Sequence, residues 1–488
     1  VRYLPPILLV FVLCAPSHAA EAPPYYDPNA IVINVSERDL NLALEDLWNS
    51  MGSGFEGTKE QMSSSGRGLH YKGRFSTPVI DLREGGQASI DLTLEEARVR
   101  VESVERKLLG RRVSCEGLGA DLPPDRALDM SLDLSFTIEE QDVKIIPTAV
   151  DVSDSKDSFK LVKPTRCRRN LIPTFMLWWI AKPLLQRQFR DLDEKLLLGA
   201  ERGAEQLRDD EGAILHKTVD VEGQELFVYP RVLRTDLDAL WISAAGSSDR
   251  NRPDDPPGPP PHSLAPSSSR SFLAVSEATL NAIMDRVYLR WSSPSRQPRG
   301  PVRKLFRSYE ILTLVPGLRR VTDRKDLQWG VRFTSPPRVE LGRLADLAED
   351  RPLVTLYSAG IEVEIARGGE RPEVLGTLSI DSGIISAIPH PNPLGGISLE
   401  VVRNEWEVSS SGIEFEEELL AATVQELVFG ELFETRYEPL ARHALTVGPI
   451  RFEPSDFAVV EDYLVIDLRR VPPPPSAPRR TDSPRASR

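Results

Sequence analysis

From Leu128 to Ile138 the chain alternates without a break. Leu128, Met130, Leu132, Leu134, Phe136 and Ile138 are apolar, and Asp129, Ser131, Asp133, Ser135 and Thr137 between them are polar. Successive side chains of a strand point to opposite faces, so residues 127–139 predict a strand of an antiparallel sheet with one dry face and one wet face. Val99 and Val101, and Ile361, Val363 and Ile365 set between charged residues, predict the same. Elsewhere the period lengthens to that of a helix. Leu40, Leu44, Leu47 and Trp48 fall on one helical face, as do Leu280, Met284, Val287 and Trp291. Longer helical patterns run over 183–208, with Leu185, Phe189, Leu192 and Leu196 on one side, and over 415–441, with Leu420, Val424, Leu427 and Phe433. Closing strands are predicted at 238–244 and 462–468.

The two short helical patterns share more than a period. VSERDLNLALEDLW at 35–48 returns as VSEATLNAIMDRVY at 275–288, with Val-Ser-Glu and Leu-Asn in identical places. The serine of each predicts an N-cap, and Asp39, three residues after Ser36, stands where the acid of a capping box would. Three further segments repeat in the same order: LHYKGRFSTP (69–78) with LQWGVRFTSP (327–336), TLEEARVRVE (93–102) with TLYSAGIEVE (355–364), and ELFVYP (225–230) with PIRFEP (449–454). Ordered segments with gaps of changing length point to a duplication. The expected organisation is a first domain over 20–245, a Pro/Ser-rich linker over 246–270, a second domain over 271–471 and a disordered tail over 472–488.

The N-terminal run LPPILLVFVLCAPSHAA follows Arg2 and ends in small residues, which predicts a secretory signal peptide over 1–19 and a secreted, periplasmic or extracellular protein. Its apolar part is far shorter than a membrane span. Downstream of it two cysteines remain, Cys115 and Cys167. In an oxidising compartment they either pair, closing a loop of about 50 residues, or stand as two separate buried thiols. No metalloprotease, serine-hydrolase, phosphate-loop or zinc-ligand spacing occurs. His70, His216, His262, His390 and His443 have no acidic or cysteine partner at ligand spacing. The expectation is a protein without catalysis, metal or cofactor.

Sixty lysines and arginines against 73 acidic residues give a net charge of -13, which argues against nucleic acid as a partner. Against that background the cations cluster. Arg106, Lys107, Arg111 and Arg112 precede Cys115, and Lys163, Arg166, Arg168 and Arg169 flank Cys167. A joined cysteine pair would bring the two groups together as a site for phosphate-bearing partners. The uncharged run LIPTFMLWWIA (171–181) follows, and its Phe175, Trp178 and Trp179 suit either a membrane interface or the start of the second helix. A second basic run includes Arg303, Lys304 and Arg307.

The order helix, long strands, helix, strand, present twice with a proline-rich linker and one cysteine pair, resembles the tubular lipid-binding (TULIP) superfamily and its two-domain bactericidal/permeability-increasing and lipopolysaccharide-binding members. The resemblance implies an α+β fold of two tandem domains, each a long curved antiparallel sheet wrapped around long helices. It implies a bridge between Cys115 and Cys167, and apolar tunnels for acyl chains, lined or rimmed by Leu40, Leu44, Trp48, Phe175, Trp178, Trp179, Leu280, Met284 and Val287. The implied partner is phospholipid or a lipopolysaccharide-like amphiphile, with peripheral membrane contact through Arg106, Lys107, Arg111, Arg112, Arg166, Arg168, Arg169, Arg303, Lys304 and Arg307. The other expectation is a scaffold of the cell envelope whose tunnels are filled by side chains.

Overall fold

The computed structural model describes residues 25–51, 54–63, 66–108, 111–122, 124–139, 142–152, 160–162, 166–168, 198, 217–221, 224–236, 238–249, 264–292, 299–301, 327–344, 351–358, 360–367, 373–391, 397–411, 445–447 and 450–471. The expected signal peptide, the run 171–181, the tail and, apart from Leu198, the helices at 183–208 and 415–441 lie outside them.

The first copy runs β1 (Tyr26–Ser36), α1 (Glu37–Met51), β2 (Gly54–Ser63), β3 (Gly66–Phe75), β4 (Val79–Arg83), β5 (Gln87–Leu108), β6 (Arg111–Leu122), a 3-10 turn (Pro124–Arg126), β7 (Leu128–Glu139), β8 (Asp142–Val152), β9 (Lys160–Val162), β10 (Arg166–Arg168), β11 (Lys217–Val221), β12 (Gln224–Asp236) and β13 (Ala239–Ser247). The second runs β14 (Ser271–Ser276), α2 (Glu277–Ser292), β15 (Arg299–Pro301), β16 (Leu327–Phe333), β17 (Arg338–Leu344), β18 (Arg351–Ser358), β19 (Ile361–Arg367), β20 (Glu373–Pro391), β21 (Ile397–Ser411), β22 (Leu445–Val447), β23 (Ile450–Val460) and β24 (Tyr463–Arg470).

This overturns the expected α+β architecture. The described residues are mostly strand, in antiparallel sheets of eight, nine and seven strands, and their α-helices have 15 and 16 residues. The reason lies in relative length. A 15-residue helix is about 22 Å long, whereas the 22-residue β5 reaches about 70 Å. Such a helix braces one end of a sheet; it is not an axle for it.

The eight-stranded sheet belongs to both copies. Its order is β11-β12-β13-β1-β14-β24-β23-β22, a palindrome once equivalent strands are matched. β1 and β14 meet antiparallel at its centre, with Ile33 opposite Leu273. One face packs Ile31, Val35, Leu273, Val275, Leu464 and Ile466 under the helices. The other packs Val32, Trp241, Phe272 and Val465, and residues 264–270 lie over it. Leu264 is buried there, the Trp241 indole N–H donates to its carbonyl, and the Asn34 amide donates to the carbonyls of Ser267 and Arg270.

Each residue of the repeated motif has a position in this frame. Val35 and Val275 are buried in the shared core. Ser36 accepts from the Asp39 N–H at 3.2 Å and Ser276 from the Thr279 N–H at 3.1 Å, which are the two N-caps. Asp39 does not complete a capping box; its carboxylate accepts from the Ser271 hydroxyl in the other copy. Glu37 accepts from the Leu82 N–H, and Asn41 exchanges two hydrogen bonds with the backbone of Ile80. Glu277 and Asn281 do the same to Leu341 and Val339. Among the described residues β4 pairs only with β5 and β17 only with β18, so these helix side chains bond to a strand edge that no described strand covers.

The copies differ in which long strand is continuous. In the first, β5 is unbroken, and the strand beside it is split into β6 and β7 at the 3-10 turn that starts with Pro124, a residue with no N–H for a ladder. In the second, β20 is unbroken, and its neighbour is split into β18 and β19 at Gly360, whose φ is 96°. The ELFVYP and PIRFEP repeats end at matching bulges, after Pro230 in β12 and Pro454 in β23. In β7 the alternation is sharpest at its start, where Leu128 and Met130 are buried and Asp129 exposed; beyond Met130, Leu134 is buried and the rest are half-buried as far as the exposed Glu139.

Candidate functional site

Backbone register brings two groups of basic residues together. The β5–β6 hairpin sets Arg106 opposite Val113, Lys107 opposite Arg112 and Leu108 opposite Arg111. β10 adds a third strand at this tip, with Arg166 opposite Glu116, Cys167 opposite Cys115 and Arg168 opposite Ser114. Residues directly opposite share a face, so Lys107, Arg112, Arg166 and Arg168 belong to one face of the tip. Arg106 and Arg111 belong to the other, with the cysteines. Glu105 and Glu116 are the carboxylates in the same rungs, so six cations outnumber two anions.

Cations further down the same sheet are tied to carboxylates. Arg100 makes a two-pronged pair with Asp121 at 2.6 and 2.8 Å, and that hydrogen bonding holds the guanidinium above its ordinary pKa. Arg74 meets Glu95 at 2.8 Å, and Arg83 meets Asp81 and Asp133. His70 and His390 gain partners that sequence spacing hides, Glu102 at 2.7 Å and Glu400 at 2.8 Å, because strand register brings them side by side. Both pairs are exposed, as befits a surface.

The apolar candidates of the first copy lie on α1. Leu40 is half-buried against the shared core. Leu44 and Trp48 are half-buried as well, and the Trp48 ring meets Phe75 edge-on at 6.2 Å. On α2, Leu280 packs on the shared core and Met284 is half-buried, while their neighbours Ala282 and Ile283 are closed off completely. Val287 lies on the same helix. Phe175, Trp178, Trp179, Arg169, Arg303, Lys304 and Arg307 lie outside the described residues.

A cavity of about 310 Å³ opens on the nine-stranded sheet between β4, β5, β7 and β8. It is lined by Asp91, Asp129 and Asp151, by Ser76, Thr77, Thr93 and Ser131, and by the apolar Val79, Leu92 and Met130.

Polar contacts at the junction of the copies involve residues that no sequence pattern singles out. The Tyr25 hydroxyl and the Thr279 hydroxyl lie 2.6 Å apart, and burial pushes the Tyr25 phenol well above its ordinary pKa. The Tyr463 hydroxyl donates to the Asn29 carbonyl at 3.0 Å and is likewise raised by burial. Arg286 is 1% exposed, its guanidinium 6.0 Å from the centre of the Tyr25 ring, and burial lowers its pKa. A tyrosine outside the repeated segments and an arginine among helical apolar residues give no signal until the chain is folded.

No protein-family model matches the chain, and no curated protein matches it. Among solved structures it is similar to lipopolysaccharide binding protein, at 12% identity and a TM-score of 0.45 over 91% of this chain and 99% of that one. It is similar to P47 of Clostridium botulinum E1 at 10% identity and a TM-score of 0.25, over 91% and 99% of the two chains. For P47 from Clostridium botulinum A2 the values are 11%, 0.23, 90% and 97%. At these levels the likeness carries no argument, and function rests on the chain's own residues.

Proposed function

We propose that the protein is a non-catalytic binder of anionic amphiphiles, phospholipid or lipopolysaccharide-like, acting outside the cytoplasm. The headgroup docks at the tip formed by β5, β6 and β10, and acyl chains lie against the apolar faces of α1 and α2. The observation that carries this reading is the register that collects Arg106, Lys107, Arg111, Arg112, Arg166 and Arg168 at one end of a sheet. In a chain of net charge -13, such a cluster repels itself unless an anion is present. The half-buried Leu44, Trp48 and Met284 support the apolar part. Each methylene taken from water contributes about 0.8 kcal/mol, so a chain of ~16 carbons supplies roughly 10 kcal/mol before ordering costs. The charges then select the headgroup and speed the encounter. The two cysteines, opposed across β6 and β10, join to hold the third strand of the tip in place.

The test is extraction of the purified protein with organic solvent and mass spectrometry of any lipid, followed by sedimentation with vesicles. Stoichiometric lipid, and binding to anionic but not zwitterionic vesicles that Arg106→Gln/Lys107→Gln/Arg111→Gln/Arg112→Gln weakens at least tenfold, is the expected result. No lipid before or after incubation with vesicles would leave an envelope scaffold as the better reading.

A further inference from the structure

β1 and β14 meet about a two-fold axis, with Ile33 opposite its counterpart Leu273, and beside this dyad each helix contacts the other copy in ways alike in position but opposite in origin. Residue 46 of α1 and residue 286 of α2 are equivalent in the repeated motif, as are Leu42 and Ala282. By the registers of the β1–β13 and β14–β24 ladders, Gly246 holds the place in the first copy that Arg470 holds in the second. In the first half-site Arg470 reaches over from β24, donates to the Leu42 carbonyl at 3.0 Å and pairs with Asp46. In the second half-site the guanidinium comes from the helix itself: Arg286 donates to the Ala282 carbonyl at 2.7 Å. Opposite it, the space beside Gly246 is filled by Tyr25, whose ring atoms come within 3.0 Å of where a Cβ on Gly246 would sit. Each half-site thus holds one guanidinium on an equivalent helix carbonyl, delivered by the sheet in one case and by the helix in the other.

We propose that this inversion is a pairing key, which makes the partner of each copy the unlike copy and no other. Two second copies brought together across the same dyad would set Arg286 and Arg470 in one half-site, twice over, two guanidinia whose neighbouring carboxylate, Asp285, is already paired with Arg338. Two first copies would set Asp46 beside Tyr25 and Gly246, a carboxylate with no cation, and Asp27 lies close to that tyrosine. Both arrangements leave like or unpaired charge in a site that is largely closed to water. The unlike pair alone places one cation in each. Asp39 and Thr279 follow the same division. The carboxylate accepts from Ser271 of the other copy, and the hydroxyl meets Tyr25. A chain built of two similar, strand-edged halves is exposed to pairing with its own kind in a neighbouring molecule, and one repulsive contact per wrong pair suppresses that route.

The full-length chain tests the key through charge exchange. Asp46→Arg places two guanidinia in the first half-site and is expected to lower the folding equilibrium constant about tenfold or more. Adding Arg470→Asp returns one cation and one carboxylate and is expected to restore the urea midpoint and the native mass. The double variant Asp46→Arg/Arg286→Asp exchanges the helix keys, so that both unlike half-sites are mismatched and both like pairings are matched. Light scattering should then find assemblies of two or more chains at concentrations where the parent keeps its own mass. Failure of Arg470→Asp to restore Asp46→Arg overturns the proposal, as does an exchanged variant with the parent's mass and midpoint. If the exchanged variant does not fold, the restoration experiment decides alone.

Discussion

Ile33 and Leu273 lie opposite each other in the β1–β14 ladder, and they are also equivalent residues of the two copies, separated by the same offset as Val35 and Val275. A residue that pairs with its own counterpart marks the position of a two-fold axis. The rungs on either side obey it: Val32 meets Ala274, and Asn34 meets Phe272. The duplication has therefore built a single sheet around one dyad, and fully buried side chains of both copies, Val32, Trp241, Phe272 and Val275 among them, gather there.

Because that sheet is common property, the copies should unfold together. Leu273→Ala removes a side chain only 2% exposed and is expected to cost about 2–5 kcal/mol. Urea unfolding followed by tryptophan fluorescence and by circular dichroism should give one coincident transition, shifted as a whole. Two separated transitions, only one of them moved, would show that the halves fold independently.

The edge braces make a paired prediction. Asn41→Ala strands the N–H and the carbonyl of Ile80, and Asn281→Ala does so at Val339. Each should cost about 1–3 kcal/mol. Amide hydrogen exchange should accelerate at Ile80 in the first variant and at Val339 in the second. Unchanged protection at both positions would mean that β4 and β17 need no brace.

Alkaline pH should loosen the dyad. Tyr25 and Tyr463 both have folded pKa values raised above the ordinary 10.0 by burial. Their contribution is intact below pH 10 and falls as pH rises through the folded values, since the phenolate forms freely only in the unfolded chain. The parent should lose stability above pH 10, and Tyr25→Phe/Tyr463→Phe should lose less of it over the same range. Parallel curves for parent and variant would sink the argument.

Two glycines of the second copy should respond oppositely to alanine. Gly360 has a φ of 96°, and a Cβ there would collide with the Thr334 hydroxyl; Gly360→Ala should cost roughly 1–3 kcal/mol. Gly342 has open space around its would-be Cβ, and Gly342→Ala should be neutral or stabilise by about 0.4–1 kcal/mol. Equal urea midpoints for the two variants would remove Gly360 as the cause of the β18–β19 break.

Cys115 and Cys167 are directly opposed on antiparallel strands, where Cα atoms stand about 4.5–5.5 Å apart, within disulfide range. Protein made in an oxidising compartment should show neither as a free thiol on unfolding without reductant. Their joint replacement by serine should cost about 2–5 kcal/mol. Two titratable thiols in that protein would refute the bridge.

The duplication, the short helices with their N-cap serines, and the alternating strand at 127–139 were legible in the sequence, because each is set by local chemistry or by direct repetition. The clustering of cations around the two cysteines was legible too, since residues 106–116 and 166–168 are each compact in sequence. What the sequence could not express is partnership between distant strands. The recurrence of Glu and Asn in Val-Ser-Glu-x-x-Leu-Asn was visible, but its reason, two strand edges with no strand partner among the described residues, exists only once β4 and β17 are in place. Asp39 read as a capping acid and turned out to hold Ser271 of the other copy. The expected sheet wrapped around long helices failed because periodicity reports that a helix has one apolar face, and is silent on which surface covers it. The inverted pairing of Asp46 with Arg470 and of Arg286 with Tyr25 is wholly a product of tertiary structure. A two-fold axis brings together residues hundreds of positions apart, and only burial at that axis makes their charges count.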